Sequence, residues 1–324
     1  MGENAYLCTR KPNTPSMYPL LFENERHELV WGTESWEVSA VEGCESVVAN
    51  GPLAGRTLDS LAEEYGTTLL GTNAAVADEG RFPLLVKFID AHDDLSIQVH
   101  PHDDLAWQRH HSCGKTEMWY VMHAAPGATL LSGFRQAITR DEYIRRVEDG
   151  TIVDVLARHE VHAGDVFYIP AGRVHSICGG IQVCEIQQSS DITYRLFDYH
   201  RLGLDGKPRK LHTELACDAI DYHVYPTYRT SYVPPRNAAV GVIDCPYFVV
   251  NVVATSSSLR RSLRDKGSFV VLSCLSGQAR ITDVNRQEVV LHEGTSCLLP
   301  AVVADFSVEA LGSAEVRLLE AYSK

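Results

Sequence analysis

Short apolar runs with a two-residue rhythm dominate the chain. In LSIQVHPHDD (95–104), Leu95, Ile97 and Val99 alternate with Ser96, Gln98 and His100, the pattern of a strand with one apolar and one polar face. Comparable runs predict strands over 84–89, 117–122, 166–169, 181–187, 248–253, 269–272, 279–282 and 297–299, separated by Gly, Pro and Asp. Helical periodicity is rare. Thr57 followed by Leu58, Leu61, Ala62 and Tyr65 predicts one amphipathic helix. Thr139 with Glu142 is a capping-box spacing, and Tyr143, Ile144 and Val147 supply its apolar stripe. Short helices are expected near 152–157 and 211–220. Many short strands with regular turn signals mean a mainly β chain built as a sandwich or barrel.

The pattern also repeats. GDVFYIPAGRVH (164–175) aligns with GTSCLLPAVVAD (294–305), setting Gly164 over Gly294, Pro170 over Pro300 and His175 over Asp305. Upstream, WYVMHAAPGATLL (119–131) resembles VVLSCLSGQARI (270–281), with Gly127 over Gly277. The excess length between these landmarks in the first copy is the helical insertion near 139–157. Two β-domains follow: residues 1–225, a linker at 226–237 carrying Pro226, Pro234 and Pro235, and residues 238–324.

Composition narrows the partners. The 45% hydrophobic and 22% charged content is that of an ordinary globular protein. A net charge of −13 argues against nucleic acid or an anionic membrane as partner, because those surfaces call for a basic face. A small anionic substrate needs only a locally basic pocket. No apolar run approaches the length of a membrane span, and the opening MGENAYLCTRKPNTP has no apolar secretory core. Nine scattered cysteines without CxxC spacing read as reduced thiols of a cytoplasmic protein. Nothing in the pattern specifies an oligomeric state.

Candidate chemistry gathers in three segments. Gln98 and His100 share a strand face, about 7 Å apart, and Pro101 ends that strand before His102. GKTEMWYVM (114–122) sets Lys115 and Glu117 two apart at the entry to a strand, and His175 emerges beyond the Pro-Ala-Gly turn at 170–172. A carboxylate, an imidazole pair and an amide oxygen are a reasonable ligand set for a borderline divalent cation. The adjacent Arg109, His110 and His111 fall in the inserted loop and read as surface.

The Gly-x5-Pro-x-Gly-x2-His element resembles the second motif of the cupins, small jelly-roll barrels that bind a metal inside one end. With QVHP (98–101), GKTEMWY and SDITYRLFDYHR (190–201), it is similar to the type I phosphomannose isomerases, particularly their short bacterial branch. WGTESWEVS (31–39) and the helix at 58–65 share the likeness, although WGTESW is shorter than the family's usual stretch and His92 and His102 depart from it. Over 238–324 the fit is architectural only. The resemblance implies two cupin-type jelly-roll domains with a few helices inserted in and between them. It implies that His100, Glu117 and His175 bind Zn2+, one per chain with other divalent metals possible, and that Gln98 is a fourth ligand. It further implies that Arg195 and Lys115 serve catalysis, and that the partner is a sugar phosphate: mannose 6-phosphate, exchanged with fructose 6-phosphate through an enediol. Lys115 and Glu185 remain alternatives for the base. The same shell would suit another metallocupin enzyme such as an iron dioxygenase, or a non-catalytic sugar-binding cupin. Gln98 in place of a first histidine and the SDITYRLFDYHR segment argue against the dioxygenase, and an intact Lys115 and Arg195 against the sugar-binding cupin. In the second copy Ala304-Asp305 replaces Val-His, so that domain is expected to be metal-free.

Overall fold

A computed structural model describes residues 16–77 and 80–324; Cys8 and the opening stretch read for a secretory signal lie outside them. The fold is mainly β, with every strand pair antiparallel. In the first barrel a seven-stranded sheet runs in the order Arg229–Thr230, Val166–Ile169, Glu117–Ala124, Ile181–Gln188, Leu84–Ala91, Gly32–Val38, Glu25–Leu29. It faces a five-stranded sheet ordered Leu156–Glu160, Thr129–Phe134, His175–Ile177, Ile97–Val99, Tyr194–Phe197. The second barrel pairs a five-stranded sheet, centred on Val316–Ser323, with a four-stranded one.

The sequence repeat is a repeat of topology. Glu117–Ala124 pairs with Val166–Ile169 and Ile181–Gln188, as Val270–Ser276 pairs with Ser296–Leu299 and Val316–Ser323. His175–Ile177 pairs with Thr129–Phe134, as Asp305–Ala310 pairs with Gln278–Asp283. The four aligned glycines all have positive φ, from 75° to 96°, where a side chain would be strained. Asp305 is engaged by Ser262 (2.6 Å) and Arg264 (2.7 Å).

The helices follow their signals in part. Thr57 caps Leu58–Tyr65, and Thr139 caps Arg140–Glu148 by accepting from Glu142 N–H at 3.2 Å. The expected helix at 211–220 is Thr213–Ala219. The one expected near 152–157 is a single 3-10 turn, Ile152–Val155, and the chain continues as the strand Leu156–Glu160. Two helices carried no clear periodic stripe. Thr67–Ala77 is kinked at Gly71 (φ 84°), and Asp103–His110 starts where the sequence suggested a loop. Consequently Arg109 and His110 sit on the last turn of a helix, not on a loop. Arg109 pairs with Asp218, and His110 Nε2 meets the Tyr194 hydroxyl at 2.8 Å.

One cluster of buried side chains runs through both barrels, joining Leu20, Phe82, Val86 and Met118 to Phe248, Phe269, Leu298 and Leu319. Within 226–237, Arg229 and Thr230 pair with Phe167 and Val166, and the Tyr228 hydroxyl donates to Phe134 O at 2.8 Å. No helix among the described residues is long and apolar enough to cross a membrane.

Candidate active site and metal centre

The alternation at 97–100 has an inverted use, whereas Leu95 packs with Ile89 and Trp119 at the cavity. Ile97 and Val99 face outward and pack beneath the helices, with Tyr143, Val147 and Ala216. The polar face therefore points into the barrel. Strand register places Ser132, His175, Gln98 and Arg195 in one row across four neighbouring strands, their side chains on a common face. His100 follows Gln98 on that face, just before Pro101 ends the strand. His102, beyond the proline, is turned away and caps the helix Asp103–His110, its Nδ1 accepting from Leu105 N–H at 3.4 Å.

Glu117 enters from the opposite sheet. Its carboxylate lies 3.4 Å from His100 Nε2 and 3.3 Å from His175 Nε2, and all three residues are buried. His100 Nδ1 faces the Ile192 carbonyl at 2.8 Å and His175 Nδ1 the Arg173 carbonyl at 2.7 Å. A carbonyl can only accept, so each Nδ1 carries the proton and each Nε2 offers a lone pair. Burial pushes the His100 imidazole down to about 3 and lowers His175 as well, so both stay neutral. Burial alone would raise the Glu117 carboxyl, but the Lys115 ammonium holds it below the ordinary carboxylate range. Neither Nε2 nor either Glu117 oxygen makes a hydrogen bond, although all four are buried. Lys115 pairs with Glu117 Oε2 alone, so four buried ligand atoms without a hydrogen bond remain costly unless a further cation satisfies them. Two neutral imidazoles and one carboxylate fit a borderline divalent ion and leave coordination positions open.

A cavity of about 280 Å³ adjoins this cluster through Gln98 and Lys115. Lys115 Nζ is 3.3 Å from Glu117, and Arg195 reaches the same cavity. Gln98 is half-buried and its amide makes no hydrogen bond among the described residues. A larger, open hollow of about 480 Å³ lies over Arg135, Asp154 and Arg158, remote from the ligand cluster. Arg195 donates to Ser96 Oγ (3.3 Å) and the Lys210 carbonyl (3.1 Å), and has no carboxylate partner. Asp198 is taken by Arg201 and by Arg209, whose Nε and Nη2 donate to its two oxygens. In the cavity wall Arg195 thus makes no direct ion pair among the described residues.

Sequence reasoning missed a second buried network. Lys87 Nζ is 3.2 Å from Glu34, 4.0 Å from Glu185 and 4.3 Å above the Trp36 ring. Trp36 and Trp119 donate their indole N–H to Glu34 (2.8 Å) and Glu185 (2.7 Å). The register Trp119–Glu185–Lys87–Trp36 explains why they meet. The available signal was a lone lysine in the apolar run LLVKFIDA. Burial first, then the Glu117 charge, pushes the Glu185 carboxyl up to about 7. For Lys115, burial lowers the ammonium, but Glu117, Glu185 and Glu34 outweigh it and hold it above the usual lysine range.

Comparison with known proteins agrees with this arrangement. A model of the type I phosphomannose isomerase catalytic domain matches residues 25–120, and one of the mannose-6-phosphate isomerase cupin domain matches residues 240–316. A probable mannose-6-phosphate isomerase of Bacillus subtilis is 35% identical over 312 residues, covering 90% of this chain and 96% of that protein. A mannose-6-phosphate isomerase of Streptococcus mutans is 31% identical, over 90% and 95%. The crystal structure of the Bacillus subtilis mannose 6-phosphate isomerase superposes with a TM-score of 0.78 at 28% identity, covering 94% of this chain and 99% of that one. With identity above 30% sustained over nearly the whole length of both proteins, the chain belongs to the type I phosphomannose isomerase family.

Proposed function

We propose that the protein interconverts mannose 6-phosphate and fructose 6-phosphate, with a single Zn2+ held by His100, Glu117 and His175 and by Gln98 as fourth ligand. The observation that carries this reading is the convergence, beside a cavity walled by Lys115, Glu185 and Arg195, of four buried ligand atoms that make no hydrogen bond. Aldose–ketose exchange moves a proton between C1 and C2 and passes through an enediolate, whose oxygen carries the developing charge. A zinc ion bound there would supply Lewis-acid stabilisation of that charge.

The chain's own groups divide the remaining work. Lys115 stays an ammonium among its carboxylates, so it acts as a cation toward substrate oxygens and not as the base. Glu185 is the better proton shuttle. Its carboxyl, raised toward neutrality and oriented by the Trp119 indole, can both take a proton and return it near pH 7. Arg195, free of any carboxylate, supplies positive charge for the anionic end of the sugar in an otherwise acidic protein.

The test is a coupled assay for mannose 6-phosphate conversion by the purified chain, with and without a chelator. Turnover should fall at least ~100-fold on metal removal, return on adding Zn2+, and be lost in His175→Ala. Turnover indifferent to the chelator, or none in the zinc-loaded protein, would refute the reading.

A further inference from the structure

A second group of unlike metal-binding side chains gathers outside the barrel interior, at the rim of the cavity. Glu25 and His27 lie two apart on the strand Glu25–Leu29 and so project from one face. Cys44 reaches the same place from the strand Cys44–Glu45, folded back onto Ala40–Val41 by a turn at Gly43 (φ 81°). Carboxylate oxygen, imidazole nitrogen and thiol sulfur all lie within 4.8 Å of one another. The His27 ring packs against Trp36 with centroids 5.1 Å apart, and Trp36 is part of the cavity wall. Its Nε2 is buried and makes no hydrogen bond; the nearest Glu25 oxygen is 4.0 Å away, out of hydrogen-bond reach. An imidazole nitrogen without a hydrogen bond, beside a thiol and a carboxylate, is placed to bind a cation.

We propose that Glu25, His27 and Cys44 form a second divalent-cation site that takes a zinc-like ion. Thiolate, imidazole and carboxylate are the mixed soft and hard donors that borderline Zn2+ accepts, with water in the fourth position. Binding displaces the thiol proton to solvent as the sulfur–metal bond forms. In a tetrahedral site, ligand atoms stand about 3.3–3.8 Å apart, so these donors must close by about 1 Å. Glu25 is exposed and Cys44 is only partly buried, so both can move, and the ion can enter from solvent. Burial first, and then the carboxylates of Glu25, Glu45 and Asp191, raise the Cys44 thiol, so the sulfur keeps its proton until a cation displaces it; Asp191 also lines the cavity. An ion here therefore ties the 40–45 hairpin to the cavity rim without touching His100, Glu117 or His175.

Cobalt separates this site from the inner one. The inner set has no sulfur, so thiolate-to-cobalt charge-transfer absorption reports only a cysteine-bound ion. Titrating Co2+ into the purified full chain should raise this band. It should be absent from Cys44→Ser, weakened at least ~10-fold in apparent affinity in His27→Ala, and retained in Cys113→Ser. A band missing from the wild type, surviving in Cys44→Ser, lost in Cys113→Ser or indifferent to His27→Ala overturns the proposal. Should Cys44→Ser fail to fold, the wild type carries the test. Saturating Zn2+ should slow alkylation of Cys44 at least ~10-fold relative to Cys113, and equal protection would refute the site.

Discussion

At Gln98 one amide stands between two chemistries. Its register partners are His175 on one side and Arg195 on the other, and its own side chain is uncommitted. A neutral amide is a weaker donor than the imidazoles and carboxylate beside it. In the proposed role of fourth ligand it would tune affinity without being required for it. Gln98→Ala should weaken zinc binding about 10-fold, measured by competition with a chromophoric chelator. An unchanged affinity would move Gln98 from the metal to the substrate. His102 illustrates the opposite fate. It is the histidine nearest the motif by eye, yet one proline places it on a helix cap.

Among the elements, the strand Gly32–Val38 joins the two barrels because its alternate residues serve different neighbours. Glu34 and Trp36 face the cavity, whereas Ser35 and Glu37 face the seam with the second barrel. Glu37 accepts from Ser35 Oγ at 2.6 Å and from the Ser296 backbone, yet it is fully buried and has no cationic partner. Burial accordingly pushes its carboxyl from 4.5 up to about 7. A raised folded-state value stabilises the fold fully below pH 4.5, and that contribution is lost as pH rises through about 7. Glu37→Gln keeps one acceptor oxygen for the Ser35, Ser296 and Asn24 donors and cannot ionise. Denaturant unfolding at pH 8 should find it more stable than the wild type by ~1–3 kcal/mol, with the gap closing toward pH 4.5. A difference that does not vary with pH would show that Glu37 is not the titrating group.

For the molecule as a whole, the shared core decides its behaviour. Leu20 and Leu298 exchange backbone hydrogen bonds at 2.8 and 2.9 Å, and the Phe82 and Phe269 rings meet at 4.4 Å, one from each barrel. Neither barrel can unfold without exposing the other's apolar surface, and that cost couples them. Calorimetry on the full chain should show one transition, with calorimetric and van't Hoff enthalpies in agreement, whether or not metal is bound. Two resolved transitions would mean the barrels are energetically separate. The acidic surface is likewise a property of the whole, while Arg195 and Lys115 supply positive charge where it is needed locally.

The β class, the internal repeat and the histidine–glutamate–histidine constellation were legible because they rest on local rules: a two-residue alternation, Pro and Gly at turns, and ligand types at fixed offsets. His100, Glu117 and His175 could be named without coordinates because the motifs that carry the family resemblance are local in sequence. Lys87, Glu34 and the second role of Glu185 could not, since cross-strand register brings them together from segments more than fifty residues apart. The helices at 67–77 and 103–110 were hidden likewise. Leu69 and Leu70 are buried and pack into the core shared by both barrels, so neighbouring structure selects their conformation and not a stripe of their own. The direction of the alternation at 97–100 was also settled only by packing. Helices cover its apolar side, so the polar side becomes the inside of the barrel.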